Sequence, residues 1–434
     1  MSEISVLFWT RRRTAPHGGD LVSLEHTMQA LRAQNIPCDI SDDPAHALEP
    51  YTLVHLYNLT DGAVALEYVA RARAAQKPLV VTPIYWSHAQ WFETRLRATP
   101  QERPEFFLGN LDEPDRALSR ELFIQSEYFS RAAHQLVCQA AAYIFPKSRG
   151  EENLLTEEFG AAREKMRVVY NGVNPAFARG DAERFFQTYN VRDFIFSAAR
   201  IEERKNTIGI LRAWRDETIP LVLAGNAPDA NYLELCKREA SANVSFIGAL
   251  TPAHIADAHA AARVHVLASW WEEVGLSALE AAVAGCNLVL TQNGPAREYF
   301  GDDVVLCDPA DPRSIHDAIR AAYDAPRQTR LASGLAERFT WERAAHTLRE
   351  CYLEIAAQPQ NFLPRANAEA WQAAALALTK LLHLRETFSA RLETRARATA
   401  TWARELEANV IARNAEQERL AKFPLARWAR KFLR

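Results

Sequence analysis

The sequence predicts an α/β protein of two parallel-sheet domains with a long helical extension in its C-terminal part. Short apolar runs alternate with amphipathic stretches through most of the 434 residues, which is typical of parallel strands joined by crossover helices. The pattern occurs in two series, and the chain is longer than the roughly 100 to 200 residues of a usual domain. Residues 366–418 contain neither glycine nor proline, which favours one continuous helix.

The first domain is expected to span residues 1–179. Its β-α-β-α-β series consists, in order, of ISVLFW, residues 21–34, YTLVHLY, residues 62–76 and PLVVTPI. Two further strands are predicted at QLVCQAAAYIF and at MRVVY, and the second of these ends at the turn Asn171-Gly172. The series therefore predicts a parallel sheet with crossover helices.

The second domain is expected to span residues 180–340 and to repeat this pattern. Its strand-like runs are FIFSAAR, PLVLAG, NVSFIG, VHVLAS, NLVLT and VVLCD, with helical stretches between most of them. Residues 341–359 are expected to form a helix that returns toward the first domain.

Residues 360–434 are predicted to form a helical or coiled-coil extension, which follows a boundary marked by Pro359 and Pro364. Apolar residues recur there close to a three-four spacing, although Arg385, Arg395 and Thr399 interrupt them. The apolar positions are Trp371, Ala374, Leu378, Leu381, Phe388, Leu392, Trp402 and Leu406. This spacing fits a coiled coil, and it also fits a helix that packs on the body of its own chain.

The last 14 residues contain five basic residues and no acidic one. If Pro424 starts a helix, apolar and basic positions occupy separate faces. The apolar face carries Leu425, Trp428, Ala429 and Phe432, and the basic face carries Arg427, Arg430, Lys431 and Arg434. Such an amphipathic tail suits the surface of an anionic membrane, and it also suits docking on the acidic body or on a helical protein partner.

Charge and cysteine content argue against several classes of protein. Residues 361–434 carry 14 Lys and Arg against 7 Asp and Glu, whereas residues 1–360 carry 37 against 47, so the body lacks the basic surplus of a nucleic-acid-binding face. The six cysteines form no CxxC pair, which indicates neither a zinc site nor a disulfide framework. No apolar run approaches the roughly 20 residues of a membrane span. We expect a cytoplasmic protein, either free or peripheral on the inner face of the cytoplasmic membrane.

The most informative segment is ASWWEEVGLSALEAAVAGCNLVLT, in which Glu272 and Glu280 stand eight residues apart. Its order is strand, loop, helix. A helix that begins near Gly275 or Leu276 would direct its free N–H groups at the loop, where they attract phosphate or an oxygen-rich sugar. Glu280 would lie about one turn into the helix and could accept hydrogen bonds from two ribose hydroxyls. The alternative is an acidic loop before a buried Ala-rich helix, with Glu280 solvated.

Two cations follow the first strand of the second domain, in SAARIEERKN. Arg200 comes directly after the strand and Lys205 five residues later. Ligands of open α/β sheets bind at this carboxyl edge, where Arg200 can grip two phosphate oxygens and Lys205 can add a point charge. The alternative is a pair of solvated charges among their acidic neighbours.

Together these segments resemble the retaining family 4 glycosyltransferases, and the resemblance covers residues 1 to about 357. The family's glycine, Arg-Leu and later Lys correspond to Ala199-Arg200-Ile201 and Lys205. Its paired glutamates with an internal Phe-Gly-Leu correspond to Glu272, Val274-Gly275-Leu276 and Glu280, so Val274 replaces an aromatic residue. Further matches are Gly18-Gly19, Asn171-Gly172-Val173 and Gly225-Asn226.

The resemblance implies a GT-B fold, in which two Rossmann-like domains face each other across the active site. It implies that Arg200 and Lys205 bind the donor diphosphate and stabilise its developing charge in place of a metal. Glu272 would hold the donor sugar and Glu280 the ribose, while Gly19 would let the backbone approach the phosphates because it has no Cβ. The other implied donor-binding residues are Gly18, Gly225, Asn226, Ile247, Leu250, Val274, Gly275 and Leu276, with the peptide groups at 247–250 reading the base.

The acceptor side departs from the family pattern. Many members carry a histidine as Thr-x-His after the strand that corresponds to PLVVTPI, and here Ile84 or Tyr85 occupies that place. His88 is the nearest substitute and His55 a weaker one, although a histidine among aromatic residues is more often structural.

The resemblance implies transfer of a hexose or deoxyhexose from a nucleoside diphosphate sugar to a glycan or a lipid-linked glycan, with retention at the anomeric carbon. The resemblance implies neither a cofactor nor a metal. Within the family, the sequence most resembles enzymes of bacterial surface-polysaccharide synthesis, such as the synthesis of lipopolysaccharide O-antigen. A non-catalytic GT-B scaffold subunit of a glycan-assembly complex is disfavoured because all four charged positions are intact. A phosphorylase or a sugar-nucleotide epimerase is a third reading, and the phosphorylase would need a cofactor lysine that the sequence does not reveal.

Overall fold

The computed structural model describes residues 4–11, 18–107, 113–327, 330–365 and 368–398. Its N-terminal domain is built on five parallel strands in the order β2-β1-β3-β4-β5. These strands are β1 Val6–Thr10, β2 Cys38–Ser41, β3 Leu53–Tyr57, β4 Leu79–Thr82 and β5 Tyr143–Ile144. Every residue of β1, β3 and β4 is buried, as expected for parallel strands with helices on both faces.

Five helices belong to this domain: α1 Gly19–Ala33, α2 Gly62–Ala74, α3 Ala89–Arg97, α4 Glu113–Ala140 and α5 Arg149–Phe159. Two of them begin at side-chain caps, because Asp61 accepts a hydrogen bond from the Val64 N–H and Ser148 accepts one from the Glu151 N–H.

Two of the predicted N-terminal strands are wrong. Most of the QLVCQAAAYIF run lies in the long helix α4, and only Tyr143 and Ile144 join the sheet. Alanines favour the helix, and a short apolar run reads equally well as a strand or as a buried helical face. The MRVVY run forms no strand either, since its pairing is limited to one isolated bridge between Met166 and Ile144.

The second domain contains six parallel strands in the order β8-β7-β6-β9-β10-β11. The strands are β6 Ile195–Ala198, β7 Leu221–Ala224, β8 Val244–Gly248, β9 Val264–Leu267, β10 Asn287–Thr291 and β11 Val304–Cys307. The chain winds outward in one direction from β6 to β8 and in the other from β9 to β11. The carboxyl ends of β6 and β9 therefore flank the switch point, which is where doubly wound sheets bind ligands.

The helices of this domain occupy both faces of its sheet. They are α6 Ala182–Tyr189, α7 Thr207–Ala213, α8 Ala230–Glu239, α9 Pro252–Ala261, α10 Leu276–Val283, α11 Ala296–Phe300, α12 Pro312–Asp324 and α13 Arg330–Arg338. The prediction of two Rossmann-like domains is confirmed.

The next helix, α14 Trp341–Ala357, lies against the N-terminal domain. Trp341 stacks on His26 of α1 with 5.1 Å between ring centroids, and the core of this region contains Leu348, Tyr352 and Ile355. The N-terminal domain therefore contains the first part of the chain together with α14, which follows the second domain in the sequence.

The C-terminal helix α15 spans Ala368–Ala398 and packs along α4. Ala374, Leu378 and Leu381 are buried in the core of the N-terminal domain, and Arg391 pairs with Asp115 at 2.9 Å. Of the two alternatives, a coiled coil or a helix packed on the body of its own chain, the structure therefore shows the second up to residue 391. The predicted seam positions Trp402 and Leu406 and the amphipathic tail 421–434 lie outside the described residues.

A carboxylate of the second domain joins the two domains at the start of α5. Glu298 accepts hydrogen bonds from the N–H groups of Arg149 at 2.7 Å and Gly150 at 3.1 Å, and from the Tyr170 hydroxyl. An acidic side chain suits the first turn of a helix because unpaired N–H groups and the helix dipole meet there. The Tyr299 hydroxyl donates to the carbonyl of Lys147 beside it at 2.6 Å.

Candidate active site

Two loops at the switch point carry the charged residues that the sequence singles out. One loop follows β6 and holds Arg200 and Lys205, and the other follows β9 and holds Glu272. Hydrogen bonds tie the loops together, since Asn206 donates to the carbonyl of Ala268 at 2.9 Å and the Trp270 N–H donates to the carbonyl of Arg204 at 2.9 Å. The structure thus brings together three of the four predicted charges at one edge of the sheet.

Lys205 and Glu272 form a partly buried ion pair between the loops. Ser269 donates a further hydrogen bond to Glu272 at 2.6 Å, and Arg204 lies 3.8 Å from the same oxygen. Burial opposes ionisation of Glu272, but Lys205 and Arg204 outweigh it and lower its pKa to about 2. Glu272 is therefore a carboxylate at neutral pH, an acceptor for hydroxyl groups.

Arg200 forms an ion pair with Glu202 at 3.0 Å, and its side chain is 28% exposed. The backbone beside it is fixed by Gly225 at the end of β7. A Cβ at Gly225, whose φ is +151°, would lie 2.0 Å from the carbonyl oxygen of Ala199, so only glycine permits this approach. The Ile201 N–H donates to the carbonyl of Asn226 at 2.9 Å, which holds the two strand ends together.

Helix α10 begins at Leu276 with Gly275 as its N-cap residue, as predicted. Gly275 packs closely against β9, because a Cβ there would lie 2.7 Å from Leu267 Cδ1. Val274 is buried in the core of the domain. Glu280 lies one turn into the helix, and burial raises its pKa to about 7.

Gly18 and Gly19 face this edge from the N-terminal domain. Gly18 is the N-cap residue of α1, and a Cβ on Gly19 would come no closer than 3.8 Å to Leu276 across the cleft. No described protein atom requires glycine at position 19, so the close approach to phosphate stays a prediction.

Ile247 and Leu250 lie at the end of the edge strand β8, where both pack partly buried against the core of the second domain. Between them Gly248 adopts a φ of +73°, and its carbonyl accepts a hydrogen bond from the Gly225 N–H at 2.8 Å. The segment therefore adjoins the loop of Arg200, and its predicted contact with the base stays a prediction.

His88 lies beside the loop of Glu272, whereas His55 does not. His88 precedes α3, pairs with Glu127, and stacks at a tilt on Trp271 with 5.4 Å between ring centroids. His55 is fully buried and hydrogen bonds to Tyr352 at 2.6 Å and Thr82 at 2.8 Å. The prediction that His55 could replace the family histidine is wrong, because a core position in the middle of β3 gives it no access to a substrate.

Helix α3 contacts the Arg200–Lys205 loop across the cleft, a contact that the sequence did not reveal. Glu203 accepts hydrogen bonds from Trp91 Nε1 at 2.9 Å and from Arg95 at 2.7 and 2.9 Å. Gln90 of the same helix donates to Asp308 at 2.8 Å. One helix of the N-terminal domain therefore contacts both the loop after β6 and the end of β11.

Arg11 is a second feature that sequence reasoning missed. It follows β1 and pairs with Asp20 at 2.6 Å, while Asn58 donates to the same carboxylate at 2.9 Å. Its hydrogen bond with Asp20 raises the pKa of Arg11, and Glu202 of the other domain adds to the rise. Arg11 is therefore near enough to the Arg200 loop to interact electrostatically with it.

Comparison with known proteins shows which family the second domain resembles. The family described as "Glycosyl transferases group 1" matches residues 181–337. This segment is similar to the glycosyltransferases of that group. It contains the two loops of the candidate site together with α10.

Curated relatives cover larger parts of the chain. Glycogen synthase of Mycobacterium tuberculosis is 29% identical over 273 residues, which are 57% of this chain and 61% of the relative. O-antigen chain mannosyltransferase B of Escherichia coli is 31% identical over 155 residues, 33% of this chain and 41% of the relative. The chain thus spans about three fifths of the glycogen synthase and less of the mannosyltransferase.

Solved structures extend the likeness to both domains. Sucrose-phosphate synthase from Thermosynechococcus elongatus has a TM-score of 0.59 at 17% identity and covers 82% of this chain and 99% of its own. Anabaena Alr3699/HepE, solved in complex with UDP and glucose, has a TM-score of 0.60 at 16% identity and covers 80% and 99%. The second domain and the N-terminal domain together form the GT-B fold.

The described residues contain no group of three or more His, Cys, Asp or Glu side chains arranged to hold a metal ion. In the same part of the chain, no helix is long and apolar enough to cross a bilayer.

Proposed function

We propose that the protein is a retaining glycosyltransferase that moves a hexose or deoxyhexose from a nucleoside diphosphate sugar to a glycan acceptor. The observation that carries the proposal is the convergence of Arg200, Lys205 and Glu272 on two hydrogen-bonded loops at the switch point, with Glu280 on the helix that follows. Anionic ligands of doubly wound sheets bind at this position.

Each charged group has a role in this reaction. Arg200 and Lys205 bind the diphosphate and stabilise the charge that develops on it as its bond to the anomeric carbon breaks. Glu272 accepts hydrogen bonds from the donor sugar, and Glu280 accepts them from the ribose. The Lys205–Glu272 ion pair keeps both side chains in place between the two halves of the donor.

The acceptor hydroxyl attacks on the face from which the diphosphate departs, so the configuration at the anomeric carbon is retained. The new bond joins the acceptor oxygen to the anomeric carbon, the bond to the diphosphate oxygen breaks, and that oxygen takes the hydroxyl proton. This route needs no protein base, and retention rests on the resemblance of the Arg200–Lys205 and Glu272–Glu280 motifs to family 4 enzymes.

The relatives support the class of donor and of pathway. UDP occupies Anabaena Alr3699/HepE, which agrees with a nucleoside diphosphate donor. The O-antigen mannosyltransferase of Escherichia coli supports a role in cell-surface polysaccharide synthesis of the lipopolysaccharide type. Arg200 and Lys205 supply the positive charge that a metal provides elsewhere, so we propose a metal-independent reaction.

The basic tail supports a proposal for where in the cell the reaction takes place. Residues 421–434 contain five basic residues, and in the helix predicted from Pro424 four of these lie opposite Trp428 and Phe432. An anionic lipid surface contributes roughly 1 kcal/mol for each cation near it. We propose a cytoplasmic protein that binds the inner face of the membrane through this tail, where a lipid-linked acceptor would lie. Sedimentation with anionic vesicles tests the tail, and deletion of residues 421–434 should abolish co-sedimentation.

Thermal-shift screening of the full chain tests the donor class. UDP, GDP and dTDP sugars carry the diphosphate, and a CMP sugar serves as the control that lacks it. One diphosphate sugar should raise the unfolding temperature with rising concentration, and the Arg200→Ala and Lys205→Ala variants should lose that shift. The same donor should then yield free nucleoside diphosphate and a product of retained configuration by NMR. The proposal is wrong if no diphosphate sugar stabilises the wild-type chain.

A further inference from the structure

A cavity of about 360 Å³ lies in the N-terminal domain between α3, α4 and α5. Its walls are largely carbon. The apolar side chains that line it are Phe92 and Leu96 from α3, Ile124 from α4 and Phe159 from α5, with the rings of Tyr85 and Tyr128 beside them. Tyr128 is 62% exposed, so this aromatic surface continues to the solvent.

The polar groups of the cavity are largely paired with one another. His88 pairs with Glu127, and Glu158 accepts hydrogen bonds from the Tyr85 hydroxyl at 2.7 Å and from Arg131 at 3.3 Å. The ring of His134 hydrogen bonds to the backbone of Leu59 at 2.7 Å. An occupant rich in hydroxyl groups would give up water for few new partners, whereas an apolar occupant gains by leaving water.

The cavity reaches the donor site through His88. This residue lines the cavity and also stacks on Trp271, the neighbour of Glu272. Trp91 lies on the same side, with its ring 5.3 Å from Trp271. The helix that forms one cavity wall also holds Glu203 in the loop of Arg200 and Lys205. A molecule bound in the cavity would therefore have one end beside the sugar-binding loop.

We propose that this cavity is an acceptor subsite and that it binds an apolar aglycone, either aliphatic or aromatic, attached to the group that receives the donor sugar. The inference rests on the proposed glycosyltransferase function and adds the chemical class of the acceptor. The aglycone occupies the space between Phe92, Leu96 and Ile124. His88 and Glu127 mark the polar end of the cavity, where the accepting hydroxyl lies.

Matched glycosides test the subsite. Methyl, hexyl and phenyl glycosides of glucose, galactose and mannose are offered to the full chain with the donor found by thermal shift. For at least one sugar, the hexyl or phenyl glycoside should exceed the methyl glycoside in kcat/KM by at least about tenfold, because the larger aglycone is removed from water. A preference for hexyl indicates an aliphatic aglycone and a preference for phenyl an aromatic one.

The variant Leu96→Gln places an amide in the cavity, and Ile124→Gln does the same from the opposite wall. Either variant should reduce the preference for the apolar aglycone at least about threefold. The matched control is Leu376→Gln on α15, whose side chain is 48% exposed and lies outside the cavity lining. The control should keep the wild-type preference.

The outcomes separate the two proposals. If no nucleoside diphosphate sugar binds the wild-type chain, the proposed function fails and the subsite fails with it. If the donor binds and is turned over but methyl, hexyl and phenyl glycosides serve equally, only the subsite is wrong. The subsite is also wrong if Leu96→Gln shows the same preference for the apolar aglycone as Leu376→Gln. The donor-induced thermal shift of Leu96→Gln shows that this variant is folded.

Discussion

The two domains share one architecture but present opposite surfaces to the cleft. The second domain presents charged side chains on two loops, among them the Lys205–Glu272 pair and Arg200. Around its cavity, the N-terminal domain pairs polar groups such as His88 and Glu127 with one another and presents aromatic and aliphatic side chains. A charged donor and an apolar acceptor group are therefore expected to be recognised by different physical forces, electrostatic attraction on one side and the removal of carbon surface from water on the other.

The charged side of the cleft should show the largest effect of mutation. Replacing Lys205 or Arg200 by Ala removes a cation from the diphosphate and should lower kcat on the order of 10²-fold or more. The folded state should persist, because both residues lie in loops at the sheet edge. Lys237→Ala, on the exposed face of α8, is the control and should keep wild-type kinetics. Turnover at the wild-type rate in both site variants, measured with the true donor and acceptor, would falsify the role of these cations.

The charged residues of this side of the cleft were predictable because they are close in sequence to strands that the apolar runs reveal. Arg200 follows FIFSAA and Glu272 follows VHVLAS, and parallel topology alone brings the carboxyl ends of such strands to one edge. The helix start at Leu276 was predictable for the same reason, since a glycine ends the loop before it.

The acceptor side was not predictable in this way. The hydrogen bonds from Trp91 and Arg95 to Glu203 join residues more than 100 positions apart, and no local pattern encodes them. The cavity is formed by three helices, one of which includes a run that reads as a strand. The lining residues lie between Tyr85 and Phe159 in the sequence and meet only through tertiary packing, so the cavity could not be predicted from local sequence patterns.

Buried histidines should make the stability of the folded protein decrease in acid. The two domains differ in whether these histidines have hydrogen-bond partners. In the N-terminal domain His134 has a hydrogen-bond partner, whereas no ring nitrogen of His259 or His265 has one among the described residues. Burial lowers the pKa of His265 to about 3 and that of His134 to about 4. The unfolded chain binds these protons below about pH 6.5 but the folded chain does not, so stability should fall as the pH decreases.

Each such histidine should contribute about 1 kcal/mol of lost stability per pH unit between about pH 6 and its own folded pKa. Urea unfolding at pH 7, 6 and 5 measures the slope. The variant His265→Val removes one ionisable group from β9 and should flatten the slope by that amount, whereas exposed His346→Val should leave it unchanged. Equal slopes for the wild type and His265→Val would show that His265 does not titrate on unfolding.

Glu280 should produce a smaller, pH-dependent effect on the charged side of the cleft. Burial raises its pKa to about 7, and only the ionised carboxylate accepts hydrogen bonds from both ribose hydroxyls. The affinity for the donor should therefore increase as the pH rises through 7, by about tenfold between pH 6 and 8. Calorimetric titration of the nucleoside diphosphate sugar across this range measures the change. In Glu280→Gln the affinity should be weaker and its dependence on pH flat, and a dependence that persists in this variant would assign the titration to another group.

Metal removal should have the smallest effect of all, because the proposed mechanism assigns the positive charge of the site to Arg200 and Lys205. The donor diphosphate carries negative charge that must be balanced as it leaves, and we expect Arg200 and Lys205 at the switch point to provide that balance without Mg²⁺ or Mn²⁺. Activity in excess EDTA should therefore equal activity in buffer, within about twofold. The informative companion is Lys205→Ala, in which one cation is missing: added Mg²⁺ should restore little of its activity, since Lys205 also holds Glu272 in place. Loss of wild-type activity in EDTA with recovery in Mg²⁺ would mean that a metal supplies the charge and that the protein cations only position the donor.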